Sequence, residues 1–207
     1  MKKYEFTGET KEIKLLFRTT VLHRIRATVS FGFVKIGDLG GWIEKEENLS
    51  HEGKAWVCGD AKVWGNAEVC GDAKVCGDAK VCGDAKVCGD AKVWGNAEVC
   101  GDAEVWGNAE VCGDAEVCGD AKVFSASHVL VIGAIGSRND FTTFYRDKDN
   151  EITVKCGCFL GKIDRFLEKV TQTHGDSKYA LVYRAAVEVA KLQIDLSGEA
   201  PKDADEE

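Results

Sequence analysis

A unit of six residues repeats twelve times without a gap between Ala55 and Ala126. Each unit reads Ala, then Lys or Glu (Trp56 in the first unit), then Val, Cys or Trp, Gly, and Asp or Asn; the last unit, 121–126, departs from this pattern. A strict short period is typical of a solenoid, in which no unit is stable by itself and stacked neighbours form the core. The repeat therefore constrains the fold more than any other feature of the sequence.

The alternation within each unit predicts a short strand. A period of two places Ala and Val on one face and the charged residue and the Cys or Trp on the other, and Gly-Asp or Gly-Asn supplies a turn. A helix is excluded, because a glycine every six residues costs about 1 kcal/mol each and the valines fit no period of 3.6. We therefore expect a strand and a corner in every unit.

The residue after Val shows which face is inside. It is Cys in eight units but Trp or Phe in the others, and a narrow solenoid cannot accept large rings at scattered levels, so we expect Val and Ala inside. The outer columns of Cys, Trp and Phe would then be more apolar than the surface of a monomer usually is. We predict that the rings lie at a subunit interface or under the C-terminal helices; they are Trp64, Trp94, Trp106 and Phe124.

The pairs Val57 with Ala61 and Val63 with Ala67 have an aliphatic residue followed four positions later by a small one. This pattern resembles the hexapeptide-repeat proteins, which fold as left-handed parallel β-helices. The resemblance implies triangular coils of three units, hence about four coils at a spacing of roughly 4.8 Å, and assembly as a homotrimer. Folding the units by threes predicts three outer columns: Cys58, Cys76, Trp94 and Cys112; Trp64, Cys82, Cys100 and Cys118; and Cys70, Cys88, Trp106 and Phe124.

The expected fold class is mainly β, with a left-handed parallel β-helix, an N-terminal β cap and a C-terminal α+β module. We divide the chain into a β-rich cap (1–54), the repeat helix (55–126), the α+β module (127–196) and a disordered acidic tail (197–207). In the module we predict a strand at 129–135, a hairpin of 140–145 and 151–156, and helices at about 162–172 and 178–194. The predicted buried face of the second helix is Leu181, Ala185, Val189 and Leu192.

The region that leads into the repeats carries a second resemblance. Residues 38–44, with the sequence Asp-Leu-Gly-Gly-Trp-Ile-Glu, and Asn48-Leu49-Ser50 resemble the YdcK-like hexapeptide proteins of bacteria and prophages, which are classed as transferases because of their fold. The C-terminal module is similar to modules that accompany such repeats in phage and Firmicutes proteins. These resemblances imply a bacterial or phage origin.

The charge of the chain is concentrated in the repeats. Of a formal net charge of −8, the segment 55–126 contributes −7, which argues against nucleic-acid binding through that segment. Apolar runs such as Val129-Leu130-Val131-Ile132 are too short to cross a bilayer. Residues 4–9 are polar where a signal peptide would be apolar, so we expect a cytoplasmic protein with no membrane partner.

Ten cysteines in a chain expected in a reducing compartment predict free thiols. We expect stacked parallel cysteines to have poor geometry for a disulfide. A linear column also does not converge on a tetrahedral metal, so no metal and no cofactor is predicted.

Acyl transfer from acyl-CoA is the enzyme activity that the β-helix resemblance implies. Such enzymes use a histidine base and loops thrown out of the coils, but His23, His51, His128 and His174 all lie outside the repeats and no unit is interrupted. His51 and His128 flank the repeats and are the candidates for that alternative. Our prediction contains no catalytic residue.

A ligand site is predicted in the glycine-rich segment 133–140 and the threonines after it. Glycine-rich backbone, an arginine and hydroxyls can hold a phosphate or a nucleotide, and the candidate residues are Arg138, Asn139, Asp140, Thr142 and Thr143. The sequence thus favours a non-catalytic, phage-type, trimeric protein that binds a nucleotide signal or a host protein and counters host defence. The alternatives are the acyltransferase and an acidic rod that mimics DNA.

Overall fold

The computed structural model describes residues 2–16 and 18–197. It contains an N-terminal hairpin, a parallel β-solenoid, and a C-terminal sheet with two helices. The strands outside the repeats are β1 (Tyr4–Lys14), β2 (Thr19–Ala27) and β3 (Leu39–Ile43) before them, and β16 (Val129–Ile135), β17 (Asp140–Arg146), β18 (Ile152–Cys156) and β19 (Phe159–Lys162) after them; the helices are α1 (Ile163–His174) and α2 (Lys178–Gln193).

Each repeat unit forms one strand of two residues, as the alternation predicts. These strands are β4 (Trp56–Val57), β5 (Lys62–Val63), β6 (Glu68–Val69), β7 (Lys74–Val75), β8 (Lys80–Val81), β9 (Lys86–Val87), β10 (Lys92–Val93), β11 (Glu98–Val99), β12 (Glu104–Val105), β13 (Glu110–Val111), β14 (Glu116–Val117) and β15 (Lys122–Val123). Every third strand pairs in parallel and in register, which confirms the three predicted columns. The repeat valines and alanines are fully buried, and the sequence prediction of the inner face is therefore confirmed.

The solenoid has about five turns rather than the expected four. The additional turn comes from the segment before the repeats, because β3 pairs in parallel with β5 and Leu49 forms a parallel bridge with Val69. The buried Asn48 amide group donates to the carbonyl oxygen of Ala67 at 2.8 Å and so replaces a backbone contact between coils. This turn lacks the Ala-x-Val pattern, which is why counting repeat units misses it.

The corner glycines allow the coils to stack. Gly71 has φ +63°, and a Cβ atom there would lie 2.8 Å from the amide nitrogen of Gly89 in the next coil. Glycine is the residue that tolerates a positive φ at no steric cost. The glycine that recurs in the first eleven units thus follows from both the turn and the close approach of two backbones.

The N-terminal hairpin closes one end of the solenoid and folds over one of its outer faces. Tyr4 and Ile25 join the solenoid core, and the Tyr4 hydroxyl donates to the carbonyl oxygen of Leu49 at 2.9 Å. Leu22 packs with Trp42 and Trp64 on the outside of the second column. The hairpin therefore covers apolar residues that the repeat leaves on its surface.

Three disulfides connect successive coils, so the expectation of free thiols is wrong for six of the eight cysteines in the columns and holds for Cys82 and Cys112. Their Cα–Cα distances are 4.6 to 4.7 Å, within the range that a disulfide requires, because parallel in-register strands bring cysteines of adjacent coils together. Parallel stacking does not prevent these disulfides, because the cysteine side chains of two adjacent coils can rotate toward each other. The disulfides are Cys58–Cys76, Cys70–Cys88 and Cys100–Cys118, and the free cysteines are Cys82, Cys112, Cys156 and Cys158.

The C-terminal module caps the other end of the solenoid. Its antiparallel sheet has the order β16-β17-β18-β19, and the predicted strands and both helices are confirmed, with β19 as an additional strand. Tyr145 points from β17 into the solenoid core, whereas Phe144 points to the helices. Thr143 Oγ1 accepts a hydrogen bond from the amide of Glu116 at 3.0 Å, so side chains of β17 satisfy the last edge of the solenoid sheet.

The buried face of α2 differs from the predicted one. All four residues of the predicted face are exposed: Leu181, Ala185, Val189 and Leu192. Tyr183, Val187 and Ala190 are instead buried against the sheet and α1. The helix carries two apolar stripes, and the stripe of small residues and one tyrosine lets the helix approach the sheet closely. Of the predicted tail 197–207, residues 198–207 lie outside the described residues.

Candidate ligand-binding site

Two of the four predicted interface rings are covered by the chain itself. Trp64 is 8% exposed under the N-terminal hairpin, and Phe124 is 9% exposed, with the Arg146 guanidinium 5.6 Å from its ring centroid. Trp106 is partly buried, while Trp94 is 47% exposed on the outside of the first column. Trp94 is therefore the predicted interface ring that offers most surface to another molecule.

The two histidines that flank the repeats have structural partners. Nδ1 of His51 accepts a hydrogen bond from the amide of Lys3 at 3.3 Å, and its ring stacks on Tyr4. Nδ1 of the buried His128 accepts from the amide of Phe124 at 3.0 Å. Burial lowers the pKa of both imidazoles, which fits their role as neutral hydrogen-bond acceptors.

The predicted ligand residues separate into two groups. Arg138 and Asn139 lie at the exposed turn between β16 and β17, where Asn139 has φ +52°, and the exposed Asp140 is the first residue of β17. Thr142 is buried on the helix side of β17, and its hydroxyl donates to the Cys156 sulfur at 3.3 Å. Thr143 is buried on the solenoid side, so the structure does not bring the two threonines to one site.

Arg138 and Asp140 line the helix–hairpin cleft, a cavity of about 240 Å³. The cleft lies between the β16–β17 turn, the β18–β19 turn and the two helices. Its other side chains come from the β18–β19 turn and from one side of each helix. The lining residues are Ser137, Arg138, Asp140, Cys156, Gly157, Cys158, Phe159, Phe166, Lys169, Val170, Thr173, His174 and Tyr183.

Aromatic rings form the floor of this cleft. Phe166 meets Tyr183 edge-on with ring centroids 5.5 Å apart, and His174 stacks on Tyr183 at 5.8 Å. Phe159 lies 5.2 Å from Phe166. A planar ring of a ligand would therefore meet ring faces or edges at the base of the cleft.

Gly136 has no side chain, and this leaves the space at the cleft that the Tyr183 hydroxyl occupies. Gly136 has φ +73°, and a Cβ atom there would lie 1.9 Å from the Tyr183 hydroxyl oxygen. Burial raises the pKa of Tyr183 to about 12, and the neighbouring Cys156 adds to this shift. The phenol is thus protonated at neutral pH and can donate a hydrogen bond into the cleft.

The cleft contains two unpaired cations. In the part of the chain that the structure describes, neither Arg138 nor Lys169 forms an ion pair or a side-chain hydrogen bond. Most other cations of the module are paired; Lys155, for example, contacts Glu116 at 2.8 Å. Arg138 and Lys169 therefore retain their full capacity to bind an anion, in a protein whose net charge is −8.

Sequence reasoning missed the part of the cleft that the helices supply. Lys169 and His174 stand on α1 and Tyr183 on α2, thirty or more residues after Arg138. No local motif links them to the glycine-rich segment. The signal available in the sequence was the pair of polar residues Lys169 and His174 on the same side of α1 as Phe166 and Val170.

Comparison with models of known protein families and with curated proteins finds no match to this chain.

Among the described residues, no group of three or more His, Cys, Asp or Glu is arranged to hold a metal ion. No helix within residues 2–16 and 18–197 is long and apolar enough to span a membrane.

Proposed function

We propose that this protein is a non-catalytic binding protein that holds a small phosphorylated ligand with a planar ring, such as a nucleotide, in the helix–hairpin cleft. The observation that carries the proposal is the pair of unpaired cations, Arg138 and Lys169, above a floor of aromatic rings. A guanidinium binds phosphate oxygens through paired hydrogen bonds, and an ammonium adds a point charge. The rings supply a stacking surface for a base.

Asp140 gives the site a means of selecting its ligand. Its Oδ1 already accepts the amide proton of Phe141 at 2.8 Å, which orients the carboxylate at the mouth of the cleft. The remaining oxygen can accept a hydrogen bond from an amino or hydroxyl group of the ligand. The amino group of a base can donate to Asp140 while its ring packs against the aromatic floor, and inorganic phosphate has no such ring, so we expect a nucleotide to bind more tightly than inorganic phosphate.

Titration calorimetry with nucleoside monophosphates, cyclic dinucleotides and inorganic phosphate tests the proposal. We expect a member of the nucleotide panel to bind, and Arg138→Ala and Lys169→Ala each to weaken it by roughly 10- to 100-fold, since a hydrogen bond to a charged group contributes about 1.5–3 kcal/mol. Arg165→Ala is the matched control, because Arg165 is an exposed cation of α1 that does not line the cleft. Absence of binding across the panel, or an equal effect of the control, would refute the proposal.

The proposal includes assembly as a homotrimer, and its support is the exposed Trp94 on the outside of the first column. Native mass spectrometry of the purified protein reports the number of subunits and any retained ligand in one spectrum. Trp94→Ser should shift a trimer toward monomer, and a monomeric wild-type protein would remove this part of the proposal.

A phage-type origin and a role against host defence belong to the same proposal. Their support is the resemblance of residues 38–50 and of the C-terminal module to bacterial and prophage proteins. Sequestration of a host nucleotide signal would need no catalytic group. A cell-based assay in which Arg138→Ala leaves protection against defence unchanged would contradict the role.

A further inference from the structure

The second outer column contains three successive cysteines below Trp64. A disulfide joins Cys100 to Cys118, and Cys82 in the preceding coil is a free thiol. The other two disulfides have no such neighbour, because a tryptophan follows each of them in its column. The second column is therefore the place where a thiol and a disulfide are stacked together.

The spacing of the three cysteines makes two pairings geometrically equivalent. The amide of Cys82 donates to Val99 O at 2.9 Å, and the amide of Cys100 donates to Val117 O at 2.9 Å. The strands that directly precede these cysteines, β8, β11 and β14, pair in parallel and in register. Cys82 thus lies one coil from Cys100, as Cys118 does on the other side. The Cα–Cα distance between Cys100 and Cys118 is 4.6 Å, and the in-register stacking predicts a similar distance between Cys82 and Cys100.

We propose that Cys82, Cys100 and Cys118 form a thiol–disulfide exchange site that moves one cross-link along the solenoid. The Cys82 thiolate attacks the Cys100 sulfur, the bond between Cys100 and Cys118 breaks, and a bond between Cys82 and Cys100 forms. Cys118 leaves as a thiolate and takes up the proton that Cys82 lost. The exchange consumes no oxidant and no reductant.

The N-terminal hairpin controls access to the attacking thiol. Ile13 and Leu15 of the hairpin and Cys82 of the solenoid pack against one apolar cluster that includes Trp64. Burial raises the pKa of the Cys82 thiol to about 11. A thiol in that environment is protonated and unreactive near neutral pH. Separation of Ile13 and Leu15 from this cluster would hydrate Cys82, increase the thiolate fraction and permit the attack.

The exchange changes the other end of the solenoid. Cys118 is 7% exposed, its amide donates to the Tyr145 hydroxyl at 3.3 Å, and that hydroxyl donates to Cys118 O at 2.9 Å. Moving the cross-link to Cys82 and Cys100 frees the coil on which the C-terminal module docks. In a solenoid each coil is stabilised chiefly by its neighbours. Loss of the Cys100–Cys118 cross-link therefore destabilises mainly the joint between that coil and the C-terminal module.

Counting free thiols tests the alternative pairing. The proteins are prepared in air-saturated buffer, denatured at low pH, alkylated and weighed intact. The wild-type protein should show four free thiols. Cys118→Ser should show three, because Cys82 and Cys100 then pair; a count of five means that this pairing does not form.

Two variants calibrate the count. Cys100→Ser removes the shared partner and should leave five free thiols, and Cys112→Ser removes an unrelated free thiol and should leave three. Five thiols in Cys118→Ser, or ten in the wild-type protein, would overturn the proposal.

Labelling of the folded protein tests the exchange itself. A Glu-specific protease releases Cys118 in a fragment spanning 117–151, which contains no other cysteine. Under a native alkylating pulse, labelled Cys118 should accumulate in the wild-type protein and stay at background in Cys82→Ser. Equal labelling of Cys118 in the two proteins would show that its release does not depend on Cys82, and the proposal would fail.

Discussion

Replacing Gly71 by alanine tests the account of why the repeat needs glycine at each corner. The natural comparison is Gly113→Ala, because Gly71 and Gly113 have nearly the same φ, +63° and +67°. A Cβ at Gly71 would lie 2.8 Å from the amide nitrogen and 3.1 Å from the carbonyl oxygen of Gly89, whereas a Cβ at Gly113 meets no atom within 4 Å. The two variants therefore share the backbone strain and differ in the contact between coils.

The magnitude follows from these two contributions. A left-handed backbone conformation destabilises alanine by roughly 1–2 kcal/mol. Alanine also lowers the conformational entropy of the unfolded chain, which stabilises the folded protein by about 0.4–1 kcal/mol. Gly113→Ala should therefore lower the free energy of unfolding by about 1 kcal/mol. At Gly71 the coils must also separate by several tenths of an ångström, and overpacking of this kind costs about 1–3 kcal/mol. We expect Gly71→Ala to lose about 2–4 kcal/mol.

Urea denaturation followed by circular dichroism measures both values under one set of conditions. Amide hydrogen exchange of Gly89 gives a local measure, because its amide nitrogen is the atom that the new Cβ approaches. If the two variants lose the same free energy to within about 0.5 kcal/mol, the close stacking of backbones does not explain the glycine, and the turn conformation alone accounts for it.

Two further predictions concern the C-terminal joint. Tyr145→Phe removes the hydroxyl that bonds both backbone groups of Cys118, so we expect a loss of about 1–3 kcal/mol in the free energy of unfolding and faster amide exchange at Cys118; unchanged exchange would contradict the capping role. Burial holds the pKa of His128 below its usual 6.5, so the unfolded chain binds a proton that the folded one does not, and stability should fall as pH drops from about 7 to about 5.5. His128→Gln should flatten this slope in denaturation curves measured across that range, and an unchanged slope would assign the effect to other groups.

The solenoid could be predicted from the sequence because its signal is strictly local. Each unit of six residues determines one strand, one corner and the side chains that face inward, and twelve repetitions show that the pattern does not arise by chance. Val99 and Ala97 are buried for the same reason as the corresponding residues of every other coil. The first turn was missed because its contacts use different chemistry. There, Leu49 takes the place of a repeat valine, and the Asn48 amide group takes the place of a backbone donor.

The candidate site could be predicted only in part, because it is assembled from distant segments. Arg138 and Asp140 were found through the glycines and polar residues of one turn. Lys169 and Tyr183 reach the same cleft only because the helices pack on the sheet by a face of small residues, and the larger leucines of α2 misdirected the prediction of that face. The pairing of helix and sheet is a property of tertiary packing that no periodicity in a single segment reports.

The uniformity of the repeat also explains why the candidate site lies outside it. Identical coils stacked in register give flat outer faces, and a flat face provides no concavity in which several polar groups can converge on one ligand. A concave site on a solenoid needs either an inserted loop or a different fold at its end, and this chain has uninterrupted units. The β16–β17 and β18–β19 turns and the two helices supply that concavity, while the coils beneath hold the module through Thr143 and Tyr145. The solenoid and the candidate ligand site are thus separate in sequence and joined at one sheet edge, so a change at that joint should affect the proposed ligand binding without altering a residue of the cleft.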